Sequence, residues 1–149
     1  MWGDELYGMC SECYEMLDNN KHKNPYQNNN VCEHCGEISH VIEIDELILP
    51  TISELNKKGY YTDFCCSGHA LDSLIDNESI NNLYIMFNNG SVPPTVPYMS
   101  GLDVEKTSFN TIYRYIFTKE NDYYATMEQV LRVNKAFYKW AKNLPERSE

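Results

Sequence analysis

Four of the six cysteines come in two pairs, Cys10-Ser11-Glu12-Cys13 and Cys32-Glu33-His34-Cys35. Two intervening residues let both sulfurs of a tight turn face one ion, with backbone amides turned towards the sulfurs. Two such turns supply four thiolates, the donor set of tetrahedral Zn2+ with bonds of about 2.3 Å. Four protein ligands leave no open coordination position, so the ion expected is structural rather than catalytic. Iron in the same four-sulfur arrangement is the competing occupant. Gly36, directly after the second pair, suits a turn that needs a positive φ. Disulfides or a redox pair are the other reading. The acidic start Met1-Trp2-Gly3-Asp4-Glu5 does not read as a secretory signal, and neither pair sits at a strand-to-helix turn of a redox fold.

The last two cysteines are adjacent, in Tyr60-Tyr61-Thr62-Asp63-Phe64-Cys65-Cys66-Ser67-Gly68-His69. An aromatic, β-prone run ends there at a Ser-Gly-His turn, and Ala70 to Ile75 then has the pattern of a short helix. A strand, a tight turn and a helix start direct unpaired amides outward, which favours an anion. Gly68 would allow close approach of a ligand, and His69 could donate a hydrogen bond near neutral pH. Alternation puts Tyr61, Asp63 and Cys65 on one face and Tyr60, Thr62, Phe64 and Cys66 on the other. One face should meet helices and the other should stay open. The candidate ligand set is therefore Asp63, Cys65, Cys66, Ser67, Gly68 and His69, with Arg114 from a later strand. The plainer readings are Cys65 and Cys66 as small buried apolar residues, and Arg114 as half of a cross-strand ion pair. A second metal site with His69 and a Cys66–His69 catalytic couple are further alternatives.

The elements that must position these residues follow from periodicity. Val41 to Ile44 reads as a short strand. Glu46 to Lys58 reads as a helix with Asp45 as its cap, Leu47, Ile48, Ile52 and Leu55 as its apolar stripe, and Gly59 as its stop. Pro50 should kink that helix or mark its true first turn. Strands are expected over 60–66, 83–87 and 111–117. Thr126-Met127-Glu128-Gln129 has the form of a capping box, followed by helical spacing to about Lys142. The Pro-rich segment 89–105 carries Pro93, Pro94 and Pro97 and reads as an ordered loop over the sheet, burying Val92, Val96, Tyr98, Met99 and Leu102. The expected architecture is α+β: a metal-bearing unit over 1–41, then a two-layer α/β body over 42–149, mostly antiparallel with helices on one face.

Twenty-two acidic residues against twelve Lys and Arg leave a formal charge of −10 over 149 residues. A broad grip on the phosphates of nucleic acid is disfavoured on such a surface. A hydrophobic content of 42% supports a packed core. No apolar run approaches the roughly 20 residues of a membrane helix, so a cytoplasmic protein with no membrane partner is expected.

Residues 7–40, with their double C-x-x-C, resemble a zinc ribbon. The block Leu55 to His69, LNKKGYYTDFCCSGH, resembles that of uncharacterised small proteins of bacteria and their phages, many with a leading zinc ribbon. The Cys66-Ser67-Gly68 triplet is similar to the Ser-Ser-Cys-Ser-Gly-Arg pattern of the wybutosine-synthesis methyltransferase family. There Phe64 and Cys65 stand in place of the serines and His69 in place of the arginine. The first likeness implies a small zinc protein, and its phage members suggest sequestration of a nucleotide-type signal or inhibition of a host factor. The second implies an enzyme acting on a nucleotide or RNA.

Three functions are thus expected. The leading one is a non-enzymatic binding protein with Cys10, Cys13, Cys32 and Cys35 holding structural Zn2+ and the Cys-Ser-Gly-His turn forming a pocket for a nucleotide or other anionic ligand. An enzyme using that turn and an acidic protein-interaction adaptor are the alternatives. The sequence has no P-loop, no dinucleotide fingerprint and no paired catalytic carboxylates at a recognisable spacing.

Overall fold

The computed structural model describes residues 6–16, 35, 41–45, 47–68, 81–118, 120 and 122–148. Strands β1 (Leu6–Cys10) and β2 (Val41–Asp45) form an antiparallel pair in which Leu6 faces Asp45 and Cys10 faces Val41. A second sheet contains β3 (Thr62–Cys66), β4 (Asn82–Asn88), β5 (Leu102–Lys106) and β6 (Asn110–Ile116) in the order β3-β4-β6-β5, antiparallel throughout. Two α-helices, α1 (Leu49–Lys57) and α2 (Tyr123–Asn143), and a single 3-10 turn at Asn89–Ser91 complete the described elements. The class is α+β. No helix among the described residues is long and apolar enough to cross a membrane.

Helix α1 starts later than Asp45 and Glu46 would have it. Pro50 lies in the first turn, the place where its fixed φ is helical and its missing N–H costs nothing. Asp45 is the last residue of β2 and does not cap the helix. The other end follows the glycine rule. Gly59 takes φ +93°, its amide donates to the Asn56 carbonyl at 3.1 Å, and the Tyr60 amide donates to that of Leu55 at 2.9 Å. Those two bonds satisfy carbonyls that the last helical turn leaves open. Tyr60 therefore belongs to the helix stop and not to the strand, which begins at Thr62.

Helix α2 starts one turn before the expected capping box. The Asp122 carboxylate accepts from the Ala125 amide at 2.8 Å, while the Thr126 hydroxyl donates to the Asp122 carbonyl at 2.9 Å. Gln129 turns out of the helix to Thr118, accepting from its amide at 2.8 Å and donating to its carbonyl at 3.0 Å. Asp competes at least as well as Thr for a helix start, and the side chain of Gln129 serves the chain end leaving β6.

Strand β5 occupies residues expected to finish the Pro-rich loop. Only Leu102 of its five residues is even partly covered, so the strand carries too weak a pattern to stand out. The turn to β6 is tied by Thr107, whose hydroxyl oxygen accepts from the amides of Phe109 at 3.3 Å and Asn110 at 3.0 Å. The remaining Pro-rich segment is ordered on the helix side of the sheet. The Trp140 indole donates to the Thr95 hydroxyl at 3.0 Å, and Pro97 is fully buried. Val92, Met99 and Leu102 pack against the core, whereas Val96 and Tyr98 are exposed.

One apolar cluster joins all of this. It contains Leu83, Ile85, Phe87 and Tyr113 from the sheet, Val130, Val133, Phe137 and Ala141 from α2, and Ile48, Ile52 and Leu55 from α1. Met9 of β1 and Ile44 of β2 belong to the same cluster. The hairpin pairing thus runs across the boundary expected at 41/42.

Candidate metal centre

Strand β1 delivers Cys10 from the core to a turn. Met9 is buried beneath it, and the turn closes with the Tyr14 amide donating to the Cys10 carbonyl at 3.1 Å and the Cys10 amide to the Glu15 carbonyl at 3.0 Å. This folds Cys13 back beside Cys10. The sulfurs of Cys10, Cys13 and Cys35 all lie within 4.8 Å of one another. Cys10 is fully buried, Cys13 is half-buried and Cys35 is exposed. Cys32, the fourth expected ligand, lies outside the described residues.

The spacing of the three described sulfurs suits ligands of one shared ion. Bonds of about 2.3 Å imply sulfur–sulfur edges of about 3.8 Å, and Cys10 and Cys35 stand at 4.0 Å. That is nearly twice a disulfide length of about 2.05 Å. The amides of Glu12 and Cys13 both point at the Cys10 sulfur, at 3.3 and 3.5 Å. Buried thiolate charge is costly without such donors or an ion. The arrangement can therefore hold a metal ion between three described cysteines.

Tyr14, directly after Cys13, has φ +63°, a left-handed conformation unusual for a large residue. Its carbonyl accepts from the Ser53 hydroxyl at 2.6 Å, and its ring meets that of Tyr61 at a centroid distance of 6.0 Å. Burial pushes its phenol up, with Tyr61, Glu12 and Cys10 adding to the shift. The signal for Tyr14 lay in comparing the two cysteine turns: the second is followed by Gly36, the first by a residue that must adopt a glycine's backbone.

The residues expected to form a ligand pocket do not form one cluster. Ser67 is fully buried. Its amide donates to Asp45 Oδ2 at 3.1 Å and its carbonyl accepts from Asn134 Nδ2 at 2.9 Å. The anion at this turn is thus a carboxylate of the chain itself, a role for Asp45 that helix-cap reasoning did not reveal. Gly68 is buried with φ +85°, and a Cβ there would stand 2.2 Å from the Phe117 ring. The close approach that requires a glycine is to that ring. His69 lies outside the described residues.

Cys65 and Cys66 point to opposite faces. Cys65 pairs with Ile85 on the helix side, where burial first, then Asp45 and Cys66, push its thiol up to about 12. Such a thiol is protonated at neutral pH and is a poor nucleophile. Cys66 faces the other way, opposite Tyr84, which in turn stands opposite Arg114. This open face carries a shallow recess of about 640 Å3 lined by Phe64, Asn82, Tyr84, Met86, Arg114 and Ile116. Arg114 approaches Glu105 of β5 at 3.4 Å. Asp63 is exposed at the far end of β3 and accepts from Asn110 Nδ2 at 2.8 Å.

Comparison with known proteins supplies no kin: no protein-family model, no curated protein and no solved structure matches the chain.

Proposed function

We propose that this chain is a metal-holding binding protein without catalysis of its own: Cys32 joins Cys10, Cys13 and Cys35 around one structural Zn2+, and the acidic body engages a basic protein partner. In a phage setting that partner would be a host factor. The observation that carries the reading is the gathering of three sulfurs within 4.8 Å, with two amides directed at the buried one. When bound, the ion would supply a cross-link between the turn at Cys10–Cys13 and the segment carrying Cys32 and Cys35, with its coordination filled by protein. A net charge of −10 favours a cationic partner, and that attraction is screened by salt. Against catalysis at the Cys-Ser-Gly turn stand the internal use of the Ser67 amide and carbonyl and the protonated state of Cys65.

The deciding experiment is elemental analysis of freshly purified chain, with Cys10→Ser and Cys35→Ser beside it. The reading expects about one zinc per chain, lost in both variants. Iron in that stoichiometry would replace zinc in the proposal, and a metal-free, folded chain would remove it.

A second reading, a nucleotide-type anionic ligand, draws on one observation: the open face sets Arg114 among Phe64, Tyr84 and Met86, where a base could stack beside a phosphate-binding cation. It expects a nucleotide panel to raise the melting temperature, and the rise to vanish in Arg114→Ala.

A further inference from the structure

β3 is the end strand of its sheet, and β1 with its cysteine turn lies off to that side, leaving a groove of about 390 Å3 between them. The volume falls within the range of small-ligand and side-chain sites. Tyr14, Tyr61 and Phe64 are its aromatic walls and Asp63 its carboxylate. Among the described lining residues there is no Lys, Arg or His. Tyr61 is 45% exposed and Phe64 66% exposed, so the rings form a rim that is open to solvent.

Two features give this groove a preference. Tyr14 and Tyr61 are tilted by 47° at 6.0 Å, forming a corner of ring faces. An organic cation within about 6 Å of such faces is attracted by their quadrupoles. Asp63 is exposed, and Asn110 engages its Oδ2, so the carboxylate retains capacity to accept a further charged donor. The chain's own lysines next to the groove residue Asn56 are committed elsewhere. Lys57 pairs with Glu15 at 2.7 Å, and Lys58 donates to the Ala141 and Lys142 carbonyls at 2.8 Å each.

We propose that this groove receives the side chain of a basic residue, lysine or arginine, from an extended segment of a protein partner. The inference deepens the adaptor reading above by naming where the cation goes. The aromatic corner receives the apolar stem and the face of the charged group, and Asp63 accepts a hydrogen bond from it. Tyr14 owes its place in that corner to the left-handed backbone after Cys13. The groove and the metal centre are thus built from the same turn.

The test uses the full chain as purified, isotopically labelled, with amide chemical shifts followed during titration. The probes are blocked pentapeptides, glycine throughout except for a central arginine, lysine, citrulline or glutamate. Shifts confined to the amides around Tyr14 and Tyr61–Phe64 with arginine or lysine, and none with citrulline or glutamate, support the proposal. Asp63→Asn and Tyr61→Ala should each weaken that binding about fivefold or more. Both residues are exposed, so these variants should fold, as their unperturbed amide spectra will report. Equal binding of citrulline, shifts centred elsewhere, or undiminished affinity in Asp63→Asn would overturn it. Zinc is measured on the same samples. A chain that holds its metal and ignores the cations loses the groove assignment alone, whereas one that binds cations without metal loses only the zinc.

Discussion

Gly68 and Phe117 are pressed together closely enough that a single methyl group decides the outcome. A Cβ at Gly68 would sit 2.2 Å from the ring, on a backbone already at φ +85°. Gly68→Ala must therefore shift the ring or the turn, and should lower stability by about 2–4 kcal/mol, read as the urea midpoint. Cys65 gives a residue-level prediction of a different kind. Its thiol is raised from the ordinary 9.0 to about 12, mainly by burial. Between those values the unfolded thiol is ionised while the folded one keeps its proton, so the folded state binds more protons. Stability from this group is fully present below pH 9 and declines as pH climbs towards 12, by at most about 1.4 kcal/mol per pH unit. Cys65→Ala should show a shallower alkaline decline in denaturation curves taken across that window. An unchanged slope would mean that other groups, such as the buried Tyr113 phenol, also raised to about 12, carry the alkaline limit.

Among the elements, one ammonium adds a polar tie to the apolar joint between α1 and α2. Lys58, the residue closing α1, donates to the Ala141 and Lys142 carbonyls at the end of α2. Lys58→Met keeps the stem but removes both bonds, and should cost about 1–2 kcal/mol in thermal or urea unfolding. Sequence periodicity located α2 and the central strands because Val130, Val133 and Phe137, and likewise Leu83, Ile85 and Phe87, bury one side each. The end of α1 was legible because a glycine at φ +93° has few other uses. Starts were harder, since Asp45, Asp122 and Thr126 all offer a capping oxygen and only tertiary contacts choose among them. β5 escaped because four of its five residues are exposed and only Leu102 reaches the core. The gathering of Cys10, Cys13 and Cys35 was legible from spacing alone, as covalent separation constrains a turn more tightly than hydrophobicity constrains a strand. The Cys-Ser-Gly turn was misleading for the converse reason: its small residues serve a crowded interior, and the same types would serve a ligand.

For the whole molecule, the notable fact is that the hairpin carrying the cysteine cluster shares the core. Met9 and Ile44 lie in the same cluster as Phe87 and Phe137, and Asp45 of β2 holds Ser67 beyond β3. With the proposed ion bound, stripping it with a chelator should therefore lower the melting temperature of the entire chain in one cooperative transition, followed by circular dichroism. Two separate transitions, with the second unchanged, would show that the hairpin is energetically detached. The root of that hairpin also has a reach beyond stability. With Cys10 and Val41 directly opposite each other in the ladder, the excursion 11–40 departs and returns at a single point. The two arms of the excursion are therefore brought together by the ladder itself, so a change of register in β1 or β2 would move the cysteine turn and the shared core together.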